Sequence, residues 1–248
     1  MTARTNYEKL AARYDEDREK WSFKRDDVLD EFLVSRSFVR VLDLGCGTGR
    51  WLAGQRDQLA DARVTCLGAD PSAAMLAEAR TKGLENLMLA RAEDLPLKDA
   101  VVDYLVASYC FHHFADKDRA LDEVRRVLAE AGAFRINNIA PEVAEGWWLY
   151  EFFPEAVALD AARFWPATRI AEALEARAFT VDIKLETGLT EMPAAVALAD
   201  AERRVVSQLA ALDDVAYARG LDRLRQAASR RDATVMAPRS RLCLTARV

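Results

Sequence analysis

Residues 40–50 read Arg-Val-Leu-Asp-Leu-Gly-Cys-Gly-Thr-Gly-Arg, and they carry more structural information than any other stretch of the chain. A short apolar run reaches an acid, Asp43, and glycines then occupy every second position, at Gly45, Gly47 and Gly49. A buried strand that turns sharply into a helix needs residues that tolerate a positive φ at the turn. The missing side chains also let a ligand lie directly against the backbone. We therefore predict a strand, a ligand-binding turn and a helix, in that order.

This turn departs in two ways from those that bind phosphate. Phosphate-binding turns read G-x-G-x-x-G, and their third glycine packs the helix onto the strand. Here the third glycine, Gly49, comes one position early, and Arg50 stands where the packing glycine would be. The Asp43 carboxylate would repel a pyrophosphate, whereas it suits a ligand with a positive amino group. Both departures favour S-adenosylmethionine over a dinucleotide as the ligand.

The composition is that of an ordinary globular protein. The chain has 248 residues, of which 51% are apolar and 30% charged, and this suits one α/β domain with a sizeable core. It contains no apolar window long enough to span a membrane, and its polar beginning lacks a signal-peptide core. We therefore expect a cytoplasmic protein with no membrane partner. The net charge of −5, without a basic stripe, disfavours a nucleic-acid partner.

Metal and disulfide chemistry are not indicated. The four cysteines, Cys46, Cys66, Cys110 and Cys243, are scattered without a C-x-x-C pair, and the chain has two histidines. This spacing provides no metal-ligand pattern, and a disulfide framework is atypical of a chain of this size and context. We expect no metal site.

Short apolar runs alternate with helix-like stretches along the first part of the chain. We predict strands at 39–44, 63–69, 86–90, 101–107 and 133–139, and helices at 48–60, 72–80 and 117–130. Further along we predict a helix at 168–177 and strands at 179–186 and 240–247. Such alternation predicts an α/β fold with a doubly wound, mostly parallel sheet.

We expect residues 1–248 to form a single domain with helical lid insertions. Its predicted parts are an N-terminal helical cap (1–38), a ligand-binding core (39–140), an aromatic lid region (141–178), and a last part (179–248) whose two strands flank a helical insertion at 193–230.

Six motifs appear in a fixed order. They are Val-Leu-Asp-Leu-Gly-Cys-Gly-Thr-Gly (41–49), Gly-Ala-Asp-Pro-Ser (68–72), Arg-Ala-Glu-Asp-Leu-Pro-Leu (91–97), Val-Asp-Tyr-Leu-Val-Ala-Ser (102–108), Phe-His-His-Phe (111–114) and Glu-Val-Arg-Arg-Val-Leu-Ala-Glu-Ala-Gly-Ala (123–133). With them the chain resembles the class I S-adenosylmethionine-dependent methyltransferases, among them the type 11 small-molecule group. The resemblance implies a Rossmann-like sheet of seven strands. It also implies methyl transfer from S-adenosyl-L-methionine to a small acceptor, with S-adenosyl-L-homocysteine as the product.

The resemblance also implies the cofactor residues: Tyr14, Asp43, Gly45, Cys46, Gly47, Asp70, Pro71, Met75, Arg91, Ala92, Glu93 and Ser108. Asp70 would accept both ribose hydroxyls, and its alternative role is that of a helix N-cap. Gly45 and Gly47 would give the methionine portion its close approach, with Asp43 holding the turn or, through water, the amino group. Ser108 would face the methyl-sulfonium region.

Some of these assignments have alternatives. The backbone of Ala92 and Glu93 would contact the adenine. The family usually has Asp or Asn at the position of Arg91, so the partner of the adenine amino group is open between Glu93 and Asp94. Met75 would pack on the ring, or belong to the core, or both. The N-terminal Tyr14 would close over the cofactor or serve as a structural aromatic.

Two histidines are the only titratable candidates for a base near neutral pH. His112 and His113 would act as catalytic residues, with His113 also touching substrate, or they would serve packing and loop hydrogen bonds. In-line methyl transfer from an activated sulfonium needs positioning rather than a dedicated nucleophile.

The acceptor site is expected to be apolar and aromatic. Its candidate residues are Tyr109, His113, Trp147, Tyr150, Phe153 and Trp165, the last four of which could equally form a lid core. The attacked atom (O, N or C) and the oligomeric state (monomer or dimer) stay open. The alternatives to an enzyme of this kind are a non-catalytic S-adenosylmethionine-binding module, a nucleotide-dependent oxidoreductase and a methyltransferase for a macromolecule.

Overall fold

A computed structural model describes residues 8, 11, 14–15, 25–59, 63–204, 206–238 and 240–248. These residues group into two compact units. The sheet unit holds the described residues up to Asn138, with Ala167–Lys184 and Cys243–Val248. The helical unit holds Ile139–Pro166 and Leu185–Leu242. Most of the predicted N-terminal cap lies outside the described residues, and the single domain stays a prediction.

The helices and strands up to residue 138 are α1 (Asp27–Ser35), β1 (Val39–Leu44), α2 (Arg50–Leu59), β2 (Val64–Asp70), α3 (Ala73–Thr81), β3 (Leu87–Leu89), β4 (Val102–Ser108), α4 (Lys117–Val127) and β5 (Leu128–Asn138). The later ones are α5 (Trp148–Phe152), α6 (Glu155–Arg163), α7 (Ala167–Glu175), β6 (Thr180–Glu186), β7 (Leu189–Pro193), α8 (Ala194–Glu202), α9 (Ser207–Ala211), α10 (Asp214–Ala228), β8 (Thr234–Pro238) and β9 (Arg241–Arg247). Two short 3₁₀ turns lie at Phe111–His113 and Pro141–Val143.

Seven strands form one sheet in the order β3-β2-β1-β4-β5-β9-β6. β1 pairs in parallel with both β2 and β4, and β2–β3 and β4–β5 are parallel as well. The chain moves outward from β1 to β3 and then crosses back to β4, so the strand order reverses beside β1. Ligands of open α/β sheets bind at such a reversal, outside the carboxyl ends of the strands. The predicted doubly wound fold is confirmed.

A buried hydrogen-bond network ties α1 to the middle of the sheet. The Asp26 carboxylate caps α1 by accepting from the Val28 and Leu29 amides at 3.1 and 3.2 Å. It also accepts from the Tyr104 hydroxyl at 2.9 Å and from Arg135 at 3.0 Å. Tyr104 is fully buried in β4, so its hydroxyl needs this partner. The network is structural and has no signature in the local sequence.

The largest difference from the predicted boundaries lies between α4 and β5. The predicted helix 117–130 ends at Val127, and β5 begins at Leu128 rather than at residue 133. Leu128 pairs with Val102 of β4, and the register then shifts so that Tyr104 faces Ala133. Both Leu128 and Val102 are buried, and burying them together ends the helix early.

The helical unit has its own apolar core, formed by buried residues of α5, α6 and α8–α10 with Val235 of β8. The predicted insertion 193–230 contains the three helices α8, α9 and α10. Two strands were not predicted: β7 and β8 pair antiparallel, with Leu189 opposite Pro238 and Pro193 opposite Thr234. None of the described helices has the length and apolarity to cross a membrane.

Candidate functional site

The glycine turn after β1 forms one wall of the candidate site. Gly45 and Gly47 have φ values of +72° and +53°, which side chains disfavour. The amide of Gly45 donates to the Ala69 carbonyl at 2.7 Å and ties the turn to the end of β2. A Cβ on Gly45 would lie 2.7 Å from the Cβ of Cys110, whereas one on Gly47 would meet no described residue within 4 Å. Among the residues that the structure describes, the turn therefore packs at Gly45 and is open at Gly47.

Asp70 ends β2 and joins two turns. Its Oδ2 accepts from the Gly47 amide at 2.8 Å, and its Oδ1 accepts from the Ser72 amide at 2.9 Å. The N-cap of α3 is Ser72, whose hydroxyl accepts from the Met75 amide at 3.2 Å. Asp70 is therefore not the helix cap, and each of its oxygens keeps a lone pair for a further donor. Burial raises the pKa of this carboxyl, although both backbone hydrogen bonds act to lower it.

Asp43 adds a second buried carboxyl close to the first. Its side chain is 2% exposed at the end of β1. Burial raises the pKa of Asp43 from 3.8 to about 8, and repulsion from Asp70 adds to the effect. A positive group bound near Asp43 would lower its pKa and favour the ionised carboxylate. The pair therefore suits a cationic ligand and opposes a pyrophosphate.

Glu93 has a structural use that the sequence did not reveal. One of its oxygens accepts from the amides of Ala115 and Asp116 at 2.7 and 3.1 Å, and Arg91 lies 3.3 Å from the other. Burial opposes ionisation of Glu93, but these hydrogen bonds and Arg91 hold its pKa below the usual range. The carboxylate braces the segment before α4. Of the two adenine partners left open, Asp94 is the exposed one.

Ser108 and Tyr109 mark the end of β4. Ser108 Oγ accepts from the Asn137 side-chain amide at 3.1 Å, and the Tyr109 amide donates to the Asn137 carbonyl at 2.7 Å. Tyr109 has a φ of +56°, an uncommon value outside glycine, and its side chain is exposed. The adjacent ends of β4 and β5 are thus fixed to each other, and β4 is the neighbour of β1 in the sheet.

The two histidines follow in the 3₁₀ turn. His112 is buried and His113 is half-buried, and their ring centroids are 4.0 Å apart. His113 is thus the more accessible of the two. The catalytic roles of His112 and His113, and the contact of His113 with substrate, stay predictions.

Two residues before α1, Asp15 and Glu8, contact the glycine turn and α3. Asp15 accepts from the Thr48 hydroxyl at 2.6 Å and pairs with Lys82 at 2.6 Å. Glu8 accepts from the Ala74 amide in the first turn of α3 at 3.3 Å. Tyr14, half-buried, belongs to this segment. No local sequence signal predicts these contacts, because their partners lie more than thirty residues away.

The remaining predicted cofactor residues surround the two turns. Cys46 and Met75 are buried, and Cys46 belongs to the core cluster beneath the sheet. Ala92 is buried and Pro71 is exposed. Cofactor contact by these residues stays a prediction, and the structure supports a core position for Met75.

Four predicted substrate residues belong to the helical unit. Phe153 is 0% exposed and its ring stacks on Tyr217 at 6.1 Å, so it is part of the core of that unit. The hydroxyl of Tyr150 donates to the buried Asp160 at 2.7 Å. Trp147 lies edge-on to Tyr150 at 5.1 Å, and Trp165 is half-buried. Burial favours the lid-core alternative for Phe153, while the other three keep exposed surface.

Known proteins resemble this chain over the same region. Residues 42–136 match the family described as "Methyltransferase domain", of type 11. A malonyl-[acyl-carrier protein] O-methyltransferase of Geobacter sulfurreducens is 39% identical over 100 residues, covering 39% of this chain and 37% of that protein. The ubiquinone/menaquinone biosynthesis C-methyltransferase of Rubrivivax gelatinosus is 35% identical over 155 residues, covering 58% and 57%. The chain spans about half the length of the curated relatives it matches.

A solved structure shares the fold. A methyltransferase candidate from an antibiotic biosynthesis pathway of Anabaena variabilis superimposes with a TM-score of 0.70, covering 88% of this chain and 95% of that one at 19% identity. S-adenosylmethionine is the cofactor of this family. The family match begins in β1 and ends in β5, and thus contains both turns of the site. The matched region, residues 42–136, belongs to the type 11 group of the class I S-adenosylmethionine-dependent methyltransferases, and the chain shares their fold.

Proposed function

We propose that this protein transfers the methyl group of S-adenosylmethionine to a small, hydrophobic or aromatic acceptor at O, N or C. The single observation that carries the proposal is the junction of Asp70 with the Gly47 amide at 2.8 Å. It joins the ends of β1 and β2 beside the reversal in strand order, where such sheets bind ligands. No described residue fills the space beside Gly47, which supports binding of a ligand there.

The residues present fit the cofactor. Asp70 would hold the ribose hydroxyls through the second lone pair of each oxygen, and Asp43 would face the amino group. The Gly47 position would leave room for the methionine portion, since a Cβ there would meet nothing within 4 Å in the part of the chain that the structure describes. When bound, S-adenosylmethionine supplies a methyl group already activated on a sulfonium.

The chain supplies positioning rather than a nucleophile. Burial raises the pKa of both nearby thiols, Cys46 and Cys110, so they stay protonated and unreactive. Cys110 further donates its S–H to the Leu44 carbonyl at 2.9 Å. Ordering the acceptor against the methyl group then supplies much of the rate. His113 would accept a proton from an acceptor hydroxyl or amine.

Two observations support an apolar acceptor: the aromatic residues of the helical unit and the substrates described for the relatives. Trp147, Tyr150 and Trp165 keep exposed aromatic surface that suits an apolar molecule. Relatives are described as acting on a malonyl-[acyl-carrier protein] and in quinone biosynthesis. The net charge of −5 supports a small molecule over a nucleic acid, and we keep the cytoplasmic location as a prediction.

The test is a methyl-transfer assay with labelled S-adenosylmethionine and a panel of acceptors: a demethylated quinone, a malonyl thioester and a transfer RNA. We expect labelled product and S-adenosylhomocysteine in equal amounts with one of the two small acceptors. The Asp70→Asn variant should lose this activity, while Asp57→Asn, which changes an exposed carboxylate of α2, should retain it.

Two results would count against this proposal. Cofactor binding without transfer to any of these acceptors or to a wider apolar set would favour the non-catalytic module. Transfer to the RNA alone would show a macromolecular substrate.

A further inference from the structure

β6 ends the seven-stranded sheet, with β9 as its neighbour in the strand order. It spans seven residues, Thr180–Glu186, without glycine or proline. Six of the seven are exposed and the remaining one, Val181, is half-buried. An edge strand offers a row of backbone N–H and C=O groups to another strand.

The two faces of β6 differ in chemistry. Because side chains alternate along a strand, Val181, Ile183 and Leu185 lie on one face. Ile183 and Leu185 are each 39% exposed, which is high for large apolar side chains in a sheet. The other face carries Thr180, Asp182, Lys184 and Glu186. Glu186 pairs with Arg241 at 2.8 Å, whereas neither Asp182 nor Lys184 forms an ion pair with any residue that the structure describes.

We propose that β6 pairs antiparallel with β6 of a second copy of this chain, around a two-fold axis at Ile183. In that register Asp182 lies opposite Lys184 of the second copy, and Lys184 lies opposite its Asp182. On the other face Ile183 meets itself, and Val181 meets Leu185. Each residue from 181 to 185 therefore lies opposite a residue of opposite charge or another apolar residue. An isologous interface requires such self-complementarity.

The neighbouring registers are disfavoured by charge. In an antiparallel pair, directly opposed residues point to the same face, so the register can shift only in steps that keep this alternation. A two-fold axis at Asp182 would oppose two aspartates, and one at Lys184 would oppose two lysines. Like charges directly opposite each other destabilise a strand pair. With an axis at Leu185, Lys184 would lie opposite Glu186, which already pairs with Arg241 at 2.8 Å, and Asp182 would have no opposite charge. The register centred on Ile183 is the one within β6 that places both Asp182 and Lys184 opposite a residue of opposite charge.

The experiment measures the oligomeric state of the full chain by sedimentation velocity from low to high micromolar concentration. Three variants report on the register: Asp182→Lys, Lys184→Asp, and the double variant that carries both changes. Each single change places like charges opposite each other twice, and the double change restores opposite charges. Lys98→Asp, at an exposed position outside β6, is the control for the change in net charge.

We expect a concentration-dependent dimer for the wild type, for Lys98→Asp and for the double variant. Each single variant should weaken dimerisation at least tenfold, and its circular dichroism should be unchanged. High salt should weaken the wild-type dimer by screening the ion pairs. A monomeric wild type throughout the range, single variants that dimerise as the wild type does, or a double variant that fails to recover would each overturn the proposal.

Discussion

Asp43 and Asp70 place two buried carboxyls at the ends of neighbouring strands. Two backbone amides donate hydrogen bonds to Asp70 and stabilise its negative charge. Asp43 is disfavoured in its charged form, because it is buried and lies close to Asp70. Such shifted carboxyls are typical of functional sites. A ligand with a positive group provides the missing charge and would draw Asp43 into its ionised form.

This coupling predicts that cofactor affinity depends on pH. Without ligand the pKa of Asp43 is about 8, so binding near neutral pH must release a proton. The affinity for S-adenosylmethionine should therefore rise between about pH 6 and about pH 8, by up to about tenfold per pH unit. Calorimetric titration in buffers of different ionisation enthalpy measures both the affinity and the released proton. A dissociation constant that is flat over this range would contradict the assignment of Asp43.

The same carboxyl predicts a stability effect in the ligand-free protein. The pKa of Asp43 rises from 3.8 to about 8 on folding, so the folded state binds this proton more tightly than the unfolded state. Its contribution to the free energy of unfolding is therefore largest in acid and is lost as the pH rises towards about 8. Asp43→Asn cannot ionise and should gain melting temperature relative to wild type as the pH rises. A difference in melting temperature that does not change with pH would show that Asp43 is ionised in the ligand-free protein.

Asp70 carries the ribose assignment. Asp70→Ala should weaken cofactor binding by on the order of 2–4 kcal/mol, the value of two hydrogen bonds to a charged acceptor. Asp57→Ala, at an exposed site on α2, should leave the affinity unchanged. Fluorescence or calorimetric titration of each variant measures the loss, after circular dichroism confirms folding. Wild-type affinity in Asp70→Ala would refute the assignment.

At the scale of elements, α10 packs closely on the end of α5 through Gly220. A Cβ at Gly220 would lie 2.8 Å from the Phe152 carbonyl oxygen and closer still to the Phe153 ring. Because Phe153 is fully buried and backed by Tyr217, the ring has little room to move. The glycine lets the two helices approach.

Gly220→Ala should therefore destabilise the protein by about 1–3 kcal/mol, even though alanine favours helix. Chemical denaturation measures the change. Adding Phe153→Leu should recover part of the loss, since the smaller side chain clears the new methyl group, and the two changes should be non-additive. Additive effects would place the strain elsewhere.

The elements that local sequence predicts well are those whose own residues determine them. The apolar run of β1 and the polar start of α3 at Ser72 are examples, and both were found within one or two residues. β7 and β8 were missed because the forty residues between them, which contain α8, α9 and α10, separate the two strands in sequence. Neither strand contains a long apolar run. The early end of α4 likewise depends on the pairing of Leu128 with the distant Val102.

The candidate site likewise contains residues that local sequence predicts and contacts that depend on the fold. The glycine turn and Asp70 were predicted from motifs that are contiguous in sequence. The brace at Glu93 and the contacts of Asp15 with Thr48 and Lys82 were not, because each joins segments that only the fold brings together. The sequence pattern also cannot distinguish an aromatic residue of the lid core from one that lines a pocket. It therefore did not reveal that Phe153 is buried inside the helical unit.

At the scale of the whole molecule, the sheet unit contains both turns of the proposed cofactor site, and the helical unit contains the aromatic residues proposed for the acceptor. Parallel strands that end side by side hold the two turns in place. We propose that the site selects a cationic nucleoside by charge, through the two buried carboxyls Asp43 and Asp70.

The most direct test is calorimetric titration of the purified chain with S-adenosylhomocysteine, with NADH as the comparison. We predict one binding site per chain with a dissociation constant in the micromolar range for S-adenosylhomocysteine and no heat of binding for NADH. A folded protein that binds NADH, or that leaves S-adenosylhomocysteine unbound, would contradict the account.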